Sequence, residues 1–235
     1  MNSSTITSNQ QWDQVKFGSW IAILTSLFSA ISLVIGIFTP VRSGPYCEKS
    51  CISYPYTEAA NFYPRDYYWM YSAIILVISY LILVNYILQY SESNMKLYNR
   101  IGLSFALISS IVLLIDYFVQ LTVVVPSLNK GETNGISLLT MYNPHGLFLA
   151  LEDIGYLMMS FSFLFIGLEL RNPQRLGLWI KGILIISFVL TILALLSFSI
   201  SFGDDFLNNF ELAALTIDWV TLIIIGPIFA KIFTS

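Results

Sequence analysis

The chain has 235 residues, of which 56% are hydrophobic and only 11% are charged, whereas about a quarter of the residues are charged in an ordinary soluble domain. This composition excludes a soluble fold, and several apolar runs long enough to cross a bilayer indicate a polytopic membrane protein. A net charge of −3 provides no basic surface for holding phosphates, so nucleic-acid binding has no support. The expected partner is the lipid bilayer.

Six apolar runs follow a polar leader over residues 1–17. Only Lys16 in that leader is basic, so the first run is predicted to be a retained helix and not a cleaved signal. Because lipid offers the backbone no hydrogen-bond partner, runs of this length must be helices. The sequence therefore predicts an all-α fold with one domain over residues 1–235, a bundle of six transmembrane helices over residues 18–38, 69–90, 101–125, 146–170, 177–200 and 211–232.

Lysines and arginines are distributed unequally between the two sides of the predicted bundle. One side receives seven of them, mostly in short connections beside helix ends, and the other receives four in longer loops. Basic residues concentrate on the cytoplasmic side of membrane proteins. The sequence therefore predicts a cell-membrane protein with both termini in the cytoplasm.

The predicted outer loop over residues 39–68 contains both cysteines of the chain, Cys47 and Cys51. An outer compartment permits a disulfide between them, which is the preferred interpretation. Free thiols are the second alternative. A metal site is disfavoured because the loop adds only carboxylates, which pair poorly with a thiolate zinc site. No metal or cofactor is expected.

Four carboxylates lie well inside the predicted spans, away from the span ends: Asp116, Glu152, Asp153 and Asp218. An aspartate at a helix centre costs about 2.5 to 3.5 kcal/mol on insertion scales, so such residues usually face the bundle interior, a partner or a water-filled cavity. With a helical rise of about 1.5 Å per residue, all four are expected in one layer of the outer half of the bilayer. They would form an acidic pocket that opens outward.

Helical spacing adds polar neighbours to these acids. Gln120 lies one turn beyond Asp116, and Tyr156 lies one turn beyond Glu152. No lysine or arginine is expected at this depth, so the carboxyls must hold protons, bind a cation or accept hydrogen bonds from neighbours. Three interpretations stay open: a polar network that joins helices, a carrier that binds protons or a small cation, and a small-molecule or enzymatic pocket.

The only histidine, His145, lies in the segment Tyr-Asn-Pro-His-Gly just before the fourth run. Asn143 is expected to cap the helix and Pro144 to occupy its first position. His145 is then either a helix-start residue at the interface or a titrating gate two turns above Glu152. One histidine is too few for membrane metal sites built from several imidazoles, and the sequence weighs against an enzyme.

The stretch from Asp116 to Phe165 carries the Tyr-Asn-Pro-His-Gly segment followed by an acidic pair and Gly-Tyr. It resembles a family of prokaryotic multi-pass membrane proteins without an assigned activity. The resemblance covers the C-terminal half of the chain. It implies a prokaryotic membrane location, and its residues include most of the candidates chosen above on physical grounds.

Overall fold

The computed structural model describes residues 8–90, 97–170 and 175–234, and these ranges contain helices and turns but no strand. Six long helices, numbered here in chain order, are each long and apolar enough to cross a membrane. The predicted all-α bundle of six membrane helices is therefore confirmed. The helices are Ser8–Phe38 (α1), Tyr68–Tyr90 (α2), Leu97–Val119 (α3), Leu147–Glu169 (α4), Arg175–Phe202 (α5) and Leu207–Thr234 (α6).

Several helices extend beyond the apolar runs that predicted them. Helix α1 begins at Ser8, inside the polar leader, and α6 begins at Leu207 instead of residue 211. Helix α3 continues through a π-helical turn at Gln120–Val124 into a last helical segment, Val125–Asn129. Polar residues at helix ends can continue a helix because terminal backbone groups near the membrane surface can bind water. Hydrophobicity therefore located each helix but not its ends.

The helices form a ring in which each packs on its neighbour in the chain and α1 closes against α6. Helix α4 also packs on α6 across the ring. Large aromatic side chains at the centre fill the space between the helices and exclude a wide channel. The main members of this core are Trp69, Tyr80, Tyr117, Tyr156, Phe163 and Trp219.

Two glycines permit close contacts between helices. A Cβ atom at Gly155 of α4 would lie 2.5 Å from a methyl carbon of Leu113 on α3. A Cβ atom at Gly226 of α6 would lie 2.5 Å from the carbonyl oxygen of Ala22 on α1. Small residues let helix backbones approach closely in lipid, where dispersion contacts drive association. These two contacts set the distances of α3 from α4 and of α1 from α6.

Residues 39–67 form the longest connection, and the face of the bundle that carries them is called the long-loop side. Cys47 and Cys51 are joined there by a disulfide, with their Cα atoms 5.8 Å apart. The buried Arg42 guanidinium donates to Asp66 Oδ2 at 2.8 Å and lies 4.3 Å from the ring centre of Phe62. This buried ion pair connects the two ends of the loop.

Tyr142 completes the core of the long-loop side. Its ring lies edge-on to those of Phe62 and Tyr67, at centroid distances of 5.8 and 6.3 Å. Burial raises the pKa of the Tyr142 phenol, and the neighbouring Tyr67 and Asp66 raise it further. The phenol therefore stays neutral, which suits its position beneath the loops.

Candidate functional site

Four carboxyl groups lie near one another where α3 and α6 pack on α4. Asp116 comes from α3, Glu152 and Asp153 from α4, and Glu211 from α6. Glu211 interacts electrostatically with each of the other three. The exposed fractions are 2% for Asp116, 0% for Glu152 and 5% for Asp153, while Glu211 is half-buried. These four residues are called the acid cluster.

The central contact of the acid cluster joins two glutamates. The carboxyl groups of Glu152 and Glu211 lie close enough to share a proton, and Glu152 Oε2 has no other partner among the described groups. Carboxylate oxygens only accept hydrogen bonds, so this contact requires a proton on one of the two groups. The acid cluster therefore holds at least one proton or an ion that replaces it.

A chain of hydroxyl groups leads from Glu152 toward the centre of the bundle. The Tyr117 hydroxyl donates to Glu152 Oε1 at 2.6 Å, and the Tyr156 hydroxyl lies 2.7 Å from that of Tyr117. Trp219 Nε1 donates to the Tyr156 hydroxyl oxygen at 3.0 Å. Each hydroxyl has one hydrogen, so every donor in this chain points toward Glu152. Glu152 Oε1 is thus an acceptor, and the proton shared with Glu211 can lie on either carboxyl.

The other two acids lack such partners. Asp116 Oδ2 and both carboxyl oxygens of Asp153 are buried without a hydrogen bond from any described donor. The salt bridges of lysine and arginine within the described ranges involve Asp66 on the long-loop side and none of the acid cluster. Buried polar oxygens are normally satisfied. Protons, water or a cation are needed to complete this site.

Gln120, expected to extend the stripe of Asp116, serves another purpose. Its side-chain nitrogen donates to the Leu139 carbonyl oxygen, and its oxygen accepts from the Met141 backbone N–H at 3.0 Å. Both ends of the amide are therefore used to hold the segment before α4 against α3. The structure does not bring Gln120 to the acid cluster.

His145 lies at the surface of the long-loop side. Its Nε2 is 3.0 Å from Asp205 Oδ1, and both side chains are mostly exposed. The expected cap is wrong, because α4 begins after Gly146 without a side-chain cap. Asn143 Oδ1 instead accepts from the His145 backbone N–H at 3.0 Å, and its Nδ2 binds the Ser137 carbonyl. Asn143 thereby shapes the turn before the helix.

Asp218 lies deeper in the bundle than the acid cluster. Its Oδ1 accepts from the hydroxyl of Ser160 at 2.8 Å, and Ser160 lies about 12 Å along α4 from Glu152 at the usual helical rise. The expected single layer of acids is therefore wrong for Asp218. The reason is the register of α6, which starts at Leu207 and brings Glu211 to the level of Glu152.

Glu211 is the site residue that the sequence reasoning missed. The hydrophobic run placed it at the very end of a span, where an acid faces water at little cost. One signal was available, because Glu211 precedes Asp218 by seven residues and so lies on the same face of the helix. That spacing pointed to a stripe of two acids on α6.

A surface cleft lies next to His145 on the long-loop side. Its lining comes from the segment before α4 and from the first turns of that helix, and it includes no residue of the acid cluster. The three most buried acids have almost no exposed surface. These three acids are therefore closed off from the surface in this conformation. The lining residues are Asn134, Gly135, Leu138, Leu139, His145, Gly146, Leu147 and Ala150.

Comparisons with profiles of protein families, with curated proteins and with solved structures found no match for this chain. The resemblance of the segment from Asp116 to Phe165 to prokaryotic membrane proteins stays a prediction. The geometry of the polar groups inside the six-helix membrane protein carries the functional argument.

Proposed function

We propose that the protein is a small carrier that binds protons or small cations within the membrane through the acid cluster. The observation that carries this proposal is the contact between the carboxyls of Glu152 and Glu211. Two like charges in a low-dielectric interior repel strongly, so the pair needs a positive ion between them. No described lysine or arginine supplies that charge, and a bound proton or small cation would supply it.

The surrounding groups support exchange of that ion. The aligned hydroxyls of Tyr117 and Tyr156 can stabilise an ionised Glu152 after the proton or cation shared with Glu211 leaves. The unsatisfied oxygens of Asp116 and Asp153 are further acceptors for a proton or for the shell of a cation. Intramembrane acids that face each other in this way are typical of proton relays and ion pathways.

The route to the acid cluster is proposed to lead from the long-loop side. Glu211 lies near the start of α6, is half-buried and is the most accessible of the four acids. The start of α6 is held by two surface contacts, His145 with Asp205 and the Tyr46 hydroxyl with Asn209. Release of these contacts would allow the start of α6 to move and expose Glu211.

Glu152→Gln tests the proposal because an amide keeps the shape of the side chain but cannot release a proton. The purified variant and the wild type are reconstituted into vesicles that contain a pH indicator, and the lumenal pH is followed after an external acid or sodium pulse. We expect a pH response in the wild type and its loss in Glu152→Gln. The matched control is Glu132→Gln, which changes an exposed loop residue and should respond like the wild type.

A second candidate is a structural role in which the same polar groups only join helices. The hydrogen-bond chain connects α3, α4 and α6, and in bacteriorhodopsin such bonds contribute about 0.6 kcal/mol on average. On this hypothesis Glu152→Gln keeps the fold and leaves every pH or cation response of the wild type unchanged. A stable variant with an unchanged response would refute the carrier proposal and favour a structural or assembly subunit.

We further propose that the protein lies in a prokaryotic cell membrane with both termini in the cytoplasm. The bias of lysine and arginine supports this orientation. Single cysteines introduced as Lys130→Cys and Asp204→Cys, in a chain without Cys47 and Cys51, should react with an impermeant thiol reagent added outside intact cells. Labelling only after cell lysis would show the opposite orientation.

A further inference from the structure

A second polar group lies deeper in the bundle, between α4, α5 and α6. It consists of Ser160, Ser187, Thr191 and Asp218, and is called the hydroxyl site. All four side chains are buried, with exposed fractions of 0% for Ser160, Thr191 and Asp218 and 2% for Ser187. Apart from the carboxyl of Asp218, the side chains of this site are neutral hydroxyls.

The oxygens of the hydroxyl site are closely spaced. Ser160 Oγ is 2.8 Å from Asp218 Oδ1 and 2.8 Å from Thr191 Oγ1. Thr191 Oγ1 is 3.1 Å from the Ser187 carbonyl oxygen. The hydroxyl of Ser187 is also close to the Asp218 carboxyl, yet Ser187 Oγ and Asp218 Oδ2 lack a hydrogen bond of normal geometry to any described group.

The buried carboxyl of Asp218 needs a positive charge that no described lysine or arginine supplies. The Ser160 hydroxyl has one hydrogen, which can go to Asp218 or to Thr191 but not to both. When Ser160 donates to Asp218 Oδ1, Asp218 Oδ2 still has no partner among the described groups. The negative charge is compensated only if Asp218 carries a proton or if a cation lies among the oxygens. An ionised Asp218 without either would be a buried, uncompensated charge.

We propose that the hydroxyl site binds a sodium ion in exchange for the proton of Asp218. The proton of the Asp218 carboxyl leaves to water, the sodium ion binds the carboxylate and the hydroxyl oxygens, and the net charge of the site remains zero. This proposal concerns oxygens separate from the acid cluster and does not depend on the function proposed for it.

The donor set selects the class of ion. Carboxylate, hydroxyl and carbonyl oxygens are hard ligands, which disfavours metals that prefer sulfur or nitrogen. One carboxylate balances one positive charge, whereas calcium sites use 6–8 oxygens that usually include several carboxylates. A buried site with a single negative charge therefore suits a monovalent hard cation.

The ionisable and basic residues around Asp218 do not replace it as the group that exchanges its proton for sodium. Among the described residues, Tyr80 of α2 and Tyr156 of α4 are ionisable side chains that interact electrostatically with Asp218. On α5, Lys181 lies about 9 Å from Ser187 along the helix, in the direction away from the long-loop side. On α1 the described basic residue is Lys16, near the end of the bundle opposite the long-loop side. No described basic side chain pairs with Asp218 in place of the ion.

The test measures the melting temperature of the purified full-length protein in detergent while sodium chloride replaces choline chloride at constant ionic strength. A ligand that binds the folded state raises the melting temperature as its concentration increases. We expect sodium, but not choline, to raise it in the wild type. Because one proton leaves for each sodium bound, the half-saturating sodium concentration should rise about tenfold for each unit by which the pH is lowered.

Ser187→Ala best separates sodium binding from stability, because the Ser187 hydroxyl has no hydrogen bond of normal geometry to a described group that could be lost. It should leave the stability without sodium nearly unchanged and raise the half-saturating sodium concentration several-fold. Asp218→Asn should abolish the sodium response. The matched control is Ser29→Ala on α1, which removes another buried serine hydroxyl that has no hydrogen-bond partner in the described part of the chain. It should retain the wild-type response.

Glu152→Gln separates this inference from the function proposed for the acid cluster, because it should keep the sodium response of the hydroxyl site. A wild type that responds equally to sodium and choline would overturn the inference. So would a sodium response that survives in both Asp218→Asn and Ser187→Ala. If the response is lost in Glu152→Gln and kept in Asp218→Asn, sodium binds the acid cluster and the assignment to the hydroxyl site is wrong.

Discussion

The crossing of α1 and α6 permits a quantitative prediction about Ser26. Pro227 lies inside α6 and has no backbone N–H. The Ile223 carbonyl, one turn earlier, therefore lacks the hydrogen bond that it would accept within a regular helix. The Ser26 hydroxyl of α1 donates to this carbonyl oxygen at 2.9 Å. Gly226 allows this approach, because any Cβ there would collide with the backbone of Ala22. A hydroxyl from one helix thus replaces the bond that proline removes from the other.

The cost of Ser26→Ala follows from the lack of an alternative donor. A buried polar group left without a partner costs about 1–3 kcal/mol, whereas hydrogen bonds between membrane helices average about 0.6 and reach about 1.7 kcal/mol. We expect Ser26→Ala to lower the free energy of unfolding by about 1–2 kcal/mol, near the upper end for membrane helices. In a Pro227→Ala background the alanine N–H can bind the Ile223 carbonyl, so the same substitution should cost only a few tenths of a kcal/mol.

The assay is a double-mutant cycle on the free energy of unfolding, measured by reversible denaturation in mixed micelles. The single variants, the double variant and the wild type give a coupling energy, which we expect to be about 1 kcal/mol. Ser29→Ala is the control, because this buried hydroxyl on the same helix makes no hydrogen bond to any described group. Additive effects of Ser26→Ala and Pro227→Ala would refute the reasoning, since the hydroxyl would then stabilise α1 independently of the proline.

Three further predictions concern the polar core and the long-loop side. Tyr117→Phe removes the hydroxyl that connects the acid cluster to the tyrosine beneath it, and should reduce the free energy of unfolding by about 1–3 kcal/mol; a thermal shift below the error of the assay would contradict this. Arg42→Met breaks a buried ion pair, but Asp66 keeps a second arginine at 2.9 Å. The loss should therefore fall below the about 3–5 kcal/mol of a fully orphaned charge, measured as unfolding free energy and as protease sensitivity of the loop. Intact-mass analysis without reduction should show no alkylation of Cys47 and Cys51 in protein from an oxidising compartment, and two added alkyl groups would disprove the bridge under native conditions.

The sequence by itself determined the class of the protein, the number of its membrane helices and the presence of acids inside them. These properties follow from local rules, because lipid forces each long apolar run to satisfy its own backbone. The helix ends were less accessible to sequence reasoning. At the membrane surface, water can bind the backbone groups whether or not the segment is helical, so hydrophobicity did not distinguish a start at Leu207 from one at residue 211.

Only the tertiary structure decided which polar groups meet. Gln120 shares a helix face with Asp116, yet its amide is used by the backbone of Leu139 and Met141. The partner of Glu152 on α6 is Glu211, and Asp218 instead meets a serine at a deeper level. These pairings depend on the register in which two helices pack, and register is set by close contacts such as those at glycines. A change of one helical turn moves a side chain by about 5.4 Å, so a small error in a helix end exchanges one partner for another.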